Sequence, residues 1–188
     1  MRKILVTGAA GQIGSELVPA LRERYGSGNV IAAGHRTPMP DDVRDAGPAI
    51  TVDVTDGESV QRSLRDHDVG TVYHMSSVLS AFAESNRQRA HSVNIDGLYN
   101  VLEAAVDNDL DQLILPSSIA AFGPDTPQDE TPNETLQRPA TLYGISKVFG
   151  ELMGNYYVDK LGLDVRGLRL PGIISWKTEP TAGTTDYA

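Results

Sequence analysis

The chain has 188 residues, enough for one domain with a sizeable core, and it contains no cysteine, which excludes disulfides and cysteine-ligated metal sites. Its formal net charge of −9 disfavours nucleic acid as a partner, because contacts to phosphates need a basic face. No apolar run approaches the ~20 residues of a membrane span, so we expect a cytoplasmic protein without a membrane partner. The histidines lack metal-ligand spacing, and no metal site is predicted.

The N-terminal stretch combines a short apolar strand, a run of glycines and an amphipathic helix. The strand covers residues 4–6, and Gly8, Gly11 and Gly14 follow as a helix begins over 12–24. This order is typical of a dinucleotide-binding turn, in which the glycines permit the turn, the approach of a pyrophosphate and close helix packing. Amides at the helix N-terminus would bind the phosphates. A plain glycine-rich turn is the alternative.

The second strand, over residues 29–33, ends without the acidic residue that usually binds the adenosine ribose of NAD. Gly34 stands there instead, and Arg36 nearby is either a partner for a 2′-phosphate or a solvated loop residue. The third strand, over 49–54, carries Asp53 near its end. This carboxylate either faces the adenine or simply precedes the next helix.

The rest of the chain alternates strands and helices. We predict a helix over 58–67, a strand over 71–75, a long helix over 84–108, a strand over 112–115, a loop over 122–139, a helix over 141–161 and a strand over 164–170. His74 should be a packed strand residue, and Asn94 should have an ordinary solvent or backbone role. The alternation predicts an α/β fold, a Rossmann-type doubly wound parallel sheet with helices on both faces.

One domain boundary is predicted near the end of the chain. Residues 1–175 form the predicted dinucleotide-binding domain. Residues 176–188 have no helix or strand periodicity and would begin a substrate-binding segment. We therefore expect the chain to be cut short, with a C-terminal substrate-closing region absent.

A tyrosine and a lysine lie four residues apart on the helix over 141–161, which places Tyr143 and Lys147 on one face. An unperturbed phenol titrates near 10, and a close ammonium would lower that value by ~1–3 units. Tyr143 is therefore a candidate acid/base for moving a proton on or off a hydroxyl. Ser118 follows a strand and can bond the same oxygen. A solvated helix face is the alternative interpretation of this spacing.

These motifs resemble those of the extended short-chain dehydrogenase/reductase superfamily, to which UDP-galactose 4-epimerase also belongs. TGAAGQIG at 7–14 is similar to its glycine fingerprint, and Ser118, Tyr143 and Lys147 are similar to its catalytic triad. Within the superfamily the chain resembles the short-chain-type L-threonine 3-dehydrogenases. That likeness is carried by GQIGSEL at 11–17, PSSIAAFGP at 116–124, RLPGIISWKT at 169–178 and GTTDY at 183–187.

The resemblance implies NAD-dependent oxidation of L-threonine at C3 to 2-amino-3-oxobutyrate by a homodimer paired through its two long helices. Tyr143 would take the hydroxyl proton, Lys147 would hold the cofactor ribose, and Ser118 would orient the substrate. The residues predicted to contact the cofactor are Gly8, Gly11, Gln12, Ile13, Gly14, His35, Arg36, Asp53, Val54, Met75, Ser76, Tyr143, Lys147 and Leu170. Those predicted to contact the substrate are Ser80, Ser117, Ser118, Tyr143, Thr184 and Thr185.

One residue departs from the family pattern, and two other functions fit part of the sequence. Family members carry an acid where this chain has Gly34, so NADP should be accepted better than is usual, with NAD still used. A nucleotide-sugar epimerase or dehydratase would share the glycines, Tyr143 and Lys147. A non-catalytic nucleotide-binding module is the other alternative, although it has no need for the complete triad.

Overall fold

A computed structural model describes residues 2–175 and 177, and it contains a parallel sheet of six strands flanked by helices. The strands are β1 (Lys3–Thr7), β2 (Val30–Gly34), β3 (Ala49–Thr51), β4 (Val69–His74), β5 (Gln112–Ser118) and β6 (Val165–Leu170). The helices are α1 (Gln12–Tyr25), α2 (Asp41–Arg44), α3 (Gly57–Asp66), α4 (Ser80–Ser85), α5 (Arg87–His91), α6 (Gly97–Asp107) and α7 (Leu142–Leu161). No helix among the described residues has the length and apolar character of a membrane span.

The strand order is β3-β2-β1-β4-β5-β6, and every neighbouring pair is parallel. The chain therefore winds outward from β1 on one side and from β4 on the other. Connections after these two strands leave toward opposite faces, which opens a crevice at their carboxyl ends. The predicted Rossmann-type doubly wound fold is confirmed, and its crevice lies between β1 and β4.

Apolar side chains pack on both faces of the sheet, which explains why its strands are largely apolar. On one face α1 and α2 cover the sheet through a cluster that includes Val6, Val18, Ala32 and Val43. On the other face α3, α6 and α7 cover it through a larger cluster that includes Leu64, Leu102, Leu113 and Tyr157. Both layers hold the strand ends, and hence the crevice, in fixed register.

The prediction of a single helix over 84–108 is wrong. The chain instead forms α4, α5, a π-helical turn (Ser92–Asp96) and α6. The break falls at Asn86, whose backbone is non-helical, with φ −136° and ψ 70°. Its side chain accepts a hydrogen bond from the backbone N–H of Arg89 at 3.2 Å, and so caps α5. Asparagine starts helices in this way because its short amide competes for nearby backbone groups.

Some predicted boundaries also differ from the structure. β5 continues through Pro116 and pairs with β6 as far as Ser118. β3 ends at Thr51, so Asp53 lies in the turn that follows the strand. The short helix α2 was not predicted, and its Val43 is buried against the sheet. The extended β5 matters for the site because it places Ser118 at the carboxyl edge.

The predicted loop between β5 and α7 is confirmed, and its two ends touch. A Cβ atom on Gly123 would lie 2.0 Å from the carbonyl oxygen of Arg138, so only glycine fits there. The buried Thr126 hydroxyl donates to the carbonyl of Leu136 at 2.6 Å and accepts the N–H of Gly123 at 3.1 Å. The loop is thus closed across its base, while residues 127–130 at its tip are exposed.

The chain after β6 returns across the start of α1. Gln12 Nε2 donates to the carbonyl of Ile173 at 2.9 Å, and the hydroxyl of Ser175 donates to Glu16. These contacts hold the segment after β6 against α1. The predicted substrate-binding segment, residues 176–188, lies outside the described residues apart from position 177, and that prediction stands untested.

Candidate active site

The turn after β1 leaves no room for a side chain at two of its glycines. Gly8 adopts a φ of +63°, and a Cβ atom there would lie 2.7 Å from the backbone of Met75 and Ser76. A Cβ atom on Gly14 would lie 2.3 Å from the carbonyl oxygen of Gly8. Backbone cannot move aside as a side chain can. The structure therefore needs glycine at both positions.

The same turn presents free backbone amides. α1 begins after Gly11 without a side-chain cap, and the N–H groups of Gln12 and Ile13 have no backbone partner within the described residues. Such amides, together with the helix dipole, form an anion site. A Cβ atom on Gly11 would lie 3.2 Å from the carbonyl oxygen of Gly8, so a side chain would crowd this cradle. The cradle fits a pyrophosphate.

A cavity of about 220 Å³ opens beside this turn, at the ends of β1 to β4 and against α5. Eight residues predicted to contact the cofactor line it: Gly8, Gly11, His35, Arg36, Asp53, Val54, Met75 and Ser76. We call it the adenosine cavity. Since it joins the phosphate cradle to the ends of four strands, the residues present fit a dinucleotide.

Buried polar side chains join the ends of β1 and β4. Thr7 Oγ1 lies 3.0 Å from His74 Nδ1 and accepts the N–H of Ser76 at 3.3 Å. Burial, with a smaller effect of the Lys147 charge, lowers the pKa of His74 to about 3. His74 is therefore neutral at physiological pH. It is a packed strand residue, as the sequence predicted.

Three side chains predicted to act together meet at the ends of β5 and α7. Lys147 Nζ lies 5.1 Å from the ring centroid of Tyr143 and donates to the carbonyl of Pro116 at 2.9 Å. The Ser118 side chain lies close enough to the Tyr143 phenol to act against the rise of its pKa. Ser118 Oγ also accepts the N–H of Ala120 at 3.1 Å. Backbone contacts thus orient both Lys147 and Ser118 toward the tyrosine.

Burial controls the protonation of this group. It raises the pKa of Tyr143, and the neighbouring Ser118 side chain offsets only part of that rise. Burial also lowers the pKa of Lys147 to about 8, so this ammonium stays mostly protonated at neutral pH. The prediction that Lys147 lowers the pKa of Tyr143 is wrong for this structure, because desolvation of the phenolate dominates.

A second cavity, of about 520 Å³, lies between α7 and the pair β5–β6. It shares Ser76 and Ser77 with the adenosine cavity, so the two adjoin at the end of β4. Lys147 and Ser117 are among its polar lining residues. A ligand that lies across both cavities would place one end beside Lys147.

A carboxylate that was not predicted lies at the second cavity. Glu151 is held by Arg169 through two bonds of 2.7 and 2.8 Å, and it accepts hydrogen bonds from Ser117 and from Gln137. Burial opposes its charge, but these bonds prevail and lower the pKa of Glu151. The spacing of four residues after Lys147 was a signal that could have revealed it. The network ties α7 to β5, β6 and the loop.

Asn94 has a larger role than the sequence predicted. It is buried in the π-helical turn, and its amide bonds both backbone groups of Val78, at 2.7 Å to N and 2.9 Å to O. It also lies 3.3 Å from the hydroxyls of Ser77 and Ser146. Asn94 therefore fixes the segment after β4 against α7. π-helical turns often occur at functional sites.

Some predicted site residues are not gathered in this way. Ser118, Tyr143, Ser80 and Leu170 are half-buried and border neither of the two cavities. The hydroxyl of Ser117 donates to Glu151 at 2.5 Å, so it is engaged within the protein. Thr184 and Thr185 lie outside the described residues.

Solved structures similar to this chain include two enzymes with different activities. An L-threonine dehydrogenase from Clostridium difficile is 49% identical, with a TM-score of 0.95 over 100% of this chain and 58% of its own. A UDP-glucose 4-epimerase from Thermus thermophilus, in complex with NAD, is 29% identical, with a TM-score of 0.80 over 89% of this chain and 54% of its own.

The sequence comparisons agree with this fold. An uncharacterised epimerase/dehydratase of Staphylococcus aureus (strain USA300) is 47% identical over 100% of this chain and 58% of its own length. The chain thus spans about 58% of the curated relatives it matches. The model of the NAD dependent epimerase/dehydratase family matches residues 4–185, which is nearly the whole chain. The chain belongs to the NAD dependent epimerase/dehydratase family, part of the short-chain dehydrogenase/reductase superfamily.

Proposed function

We propose that the protein oxidises L-threonine at C3 to 2-amino-3-oxobutyrate with a nicotinamide cofactor. The observation that carries the proposal is the placement of Tyr143 beside Lys147 and Ser118, with Lys147 lining a cavity that adjoins the adenosine cavity. The likeness to the threonine dehydrogenase of Clostridium difficile, at 49% identity, supports the choice of substrate. These residues can remove the proton of a substrate hydroxyl, and a nicotinamide cofactor would supply the hydride acceptor that oxidation of its carbon requires.

The chain's own residues would supply the proton chemistry. Ser118 donates to the substrate hydroxyl oxygen, and the Tyr143 phenolate takes the hydroxyl proton. Lys147, still mostly protonated at neutral pH, holds its ammonium 5.1 Å from the centroid of the Tyr143 ring. A bound nicotinamide cofactor would supply the acceptor for the hydride of C3. The C3 oxygen becomes a carbonyl, and Tyr143 then releases its proton to solvent.

The cofactor would be held by residues along the crevice. The amides of Gln12 and Ile13 would bind the pyrophosphate, and the adenosine cavity would take the adenine and its ribose. Lys147 would bond the other ribose. Burial raises the pKa of Tyr143, so the rate should increase with pH as the phenolate fraction grows.

The test is cofactor reduction by the purified chain with L-threonine, followed by absorbance of the reduced nicotinamide and by detection of aminoacetone formed from the product. UDP-galactose is assayed in parallel for epimerisation. Threonine-dependent reduction without UDP-galactose turnover is the expected result. Cofactor binding without either reaction would support a non-catalytic module and overturn the proposal.

A nucleotide-sugar epimerase is the second candidate function. It is favoured by the likeness to a UDP-glucose 4-epimerase, and the same tyrosine and lysine would serve it. That likeness is weaker, at 29% identity against 49% for the threonine dehydrogenase. Epimerisation of UDP-galactose in the parallel assay would establish this alternative.

We also propose that the protein forms a homodimer through α6 and α7. Apolar side chains at Ile145, Leu152 and Tyr156 lie on one face of α7 and are 50%, 62% and 53% exposed. Tyr99 on α6 is 46% exposed. A second copy would cover this stripe, as apolar helix faces rarely stay open to water. Sedimentation should give a dimer for the parent chain and a monomer for Leu152→Glu; a monomeric parent would contradict the proposal.

A further inference from the structure

β2 ends without an acidic residue, although the structure has room for one at this position. In NAD enzymes of this fold an acid at this point bonds the ribose 2′-hydroxyl, whereas a nearby arginine accommodates the 2′-phosphate of NADP. A Cβ atom on Gly34 would meet only Met39 Cε, at 3.2 Å, and this is the mobile tip of a flexible side chain. The backbone of Gly34 also lies outside the positive-φ region. An aspartate at position 34 would therefore fit the structure, so neither packing nor backbone conformation requires the glycine.

The adenosine cavity is basic, although the chain as a whole is acidic. His35 and Arg36 follow β2, and Arg89 reaches the cavity from α5. Asp53 is the one acid among the described lining residues. On a chain of net charge −9, a pocket with this local balance indicates an anionic ligand.

The acid in the cavity is already engaged by the protein. Asp53 Oδ1 accepts the N–H of Thr55 at 3.0 Å and its hydroxyl at 2.8 Å. Its other oxygen lies 3.5 Å from His35 Nδ1. Burial opposes the charge of Asp53, but the bonds from Thr55 and the charges of His35 and Arg89 prevail and lower its pKa. The negative charge of Asp53 is thus partly balanced by neighbouring groups, and its carboxylate is bonded within its own turn.

The two arginines of the cavity are available to a ligand. The guanidinium groups of Arg36 and Arg89 form no ion pair within 4.0 Å and no hydrogen bond among the described residues. Elsewhere on this acidic surface several arginines are paired with carboxylates: Arg44, Arg62, Arg65 and Arg166. Planar guanidinium groups bind phosphate through paired, charge-assisted hydrogen bonds.

We propose that the adenosine cavity is a 2′-phosphate site and that the chain binds NADP at least tenfold more tightly than NAD. Arg36 contacts the 2′-phosphate, and Arg89 supports it from α5. This inference rests on the nicotinamide cofactor of the proposed function. It does not depend on threonine as the substrate.

The experiment is calorimetric titration of the 188-residue chain with NAD and with NADP, in the absence of any substrate. Arg36→Gln should weaken NADP binding about tenfold or more and leave NAD binding within about twofold, since each charge-assisted phosphate contact is strong. Gly34→Asp should reverse the preference by repelling the phosphate and bonding the 2′-hydroxyl. Arg87→Gln is the matched control, because Arg87 lies on the same helix as Arg89 outside the cavity lining.

Each outcome decides the proposal. A tenfold preference for NADP that Arg36→Gln removes and Arg87→Gln retains would support it. Equal affinities, tighter binding of NAD, no binding of either, or an NADP affinity unchanged in Arg36→Gln would overturn it. The threonine assay is independent, because the chain could bind NADP and leave threonine unchanged, or oxidise threonine with NAD.

Discussion

At the turn after β1 a ligand would meet backbone, whereas at the start of α7 it would meet side chains. The glycine turn has no freedom: a Cβ atom on Gly14 would lie 2.3 Å from a carbonyl oxygen. The group around Tyr143 depends instead on burial, which shifts the pKa of both Tyr143 and Lys147. The difference teaches that substitutions at the first region should act on folding and binding together, while those at the second should act on rate.

The largest effect is expected from Tyr143→Phe. This change removes the phenol and keeps the ring, so kcat should fall by roughly 10²–10⁴-fold while cofactor binding stays within a few fold. Tyr25→Phe is the control, because Tyr25 lies at the end of α1 and borders neither cavity. Steady-state rates and cofactor titration measure both effects. If the Tyr143→Phe variant keeps a tenth or more of the parent kcat, Tyr143 does not control the rate and the contrast between the two regions is wrong.

Gly14→Ala should show the opposite pattern. Its methyl group would overlap the carbonyl of Gly8, so the turn and α1 must shift apart. Overpacking of this kind costs about 1–3 kcal/mol of stability. The melting temperature should fall by several degrees, and the variant should bind the cofactor more weakly than the parent chain. Gly28→Ala is the control, because a Cβ atom there has nothing within 4 Å. Equal melting temperatures for both variants would show that the turn can relax.

Glu151→Gln tests the side-chain network that supports α7. The amide keeps the shape but loses the charge that Arg169 pairs with at 2.7 Å. Losing a charge-assisted bond of this kind should lower stability by about 1–3 kcal/mol. Because Glu151 also bonds Ser117 and Gln137, kcat should fall more than KM rises. The exposed pair of Glu58 and Arg62 provides the control, since Glu58→Gln should change stability by about 0.5 kcal/mol or less.

A prediction that needs no ligand concerns His74 and pH. Its pKa is about 3 in the folded chain against an ordinary 6.5, so between these values the unfolded chain binds more protons. Stability should therefore fall as pH decreases from 6.5 toward 3, by up to about 1.4 kcal/mol per pH unit from this residue. His74→Gln should flatten that slope in denaturant titrations between pH 5 and about 6.5. Parallel slopes for the two proteins would show that His74 is not buried as a neutral group.

The comparison also explains which parts of the site were predictable. Gly8 and Gly14 are required by backbone geometry, and such a requirement repeats at a fixed spacing that a sequence displays. Glu151 and Asn94 take their roles from partners on other elements, and no local pattern records those partners. The sign of the Tyr143 pKa shift was missed for the same reason, because burial arises only when α7 packs on β5.

Helix boundaries show the same limit at a smaller scale. The apolar spacing predicted most of α6 but continued it back through Asn86, where the structure begins a new helix. Asparagine occurs both inside helices and at their N-terminal caps. Which of the two positions Asn86 takes depends on whether its side chain finds a backbone N–H to bond. The π-helical turn around Asn94 is likewise set by contact with Val78.

The closed base of the loop between β5 and α7 has a consequence for length variation. Gly123, near the start of the loop, is in contact with Arg138, near its end. The distance from β5 to α7 is therefore set by this contact and not by the number of residues in the loop between Gly123 and Arg138. About six glycine and serine residues inserted after the exposed Asp129 should cost about 0.6 kcal/mol or less in closure entropy. The insertion should leave the melting temperature within a few degrees of the parent value and the rate of turnover unchanged. The tip is therefore a point where a label or a small domain can be attached without moving Tyr143.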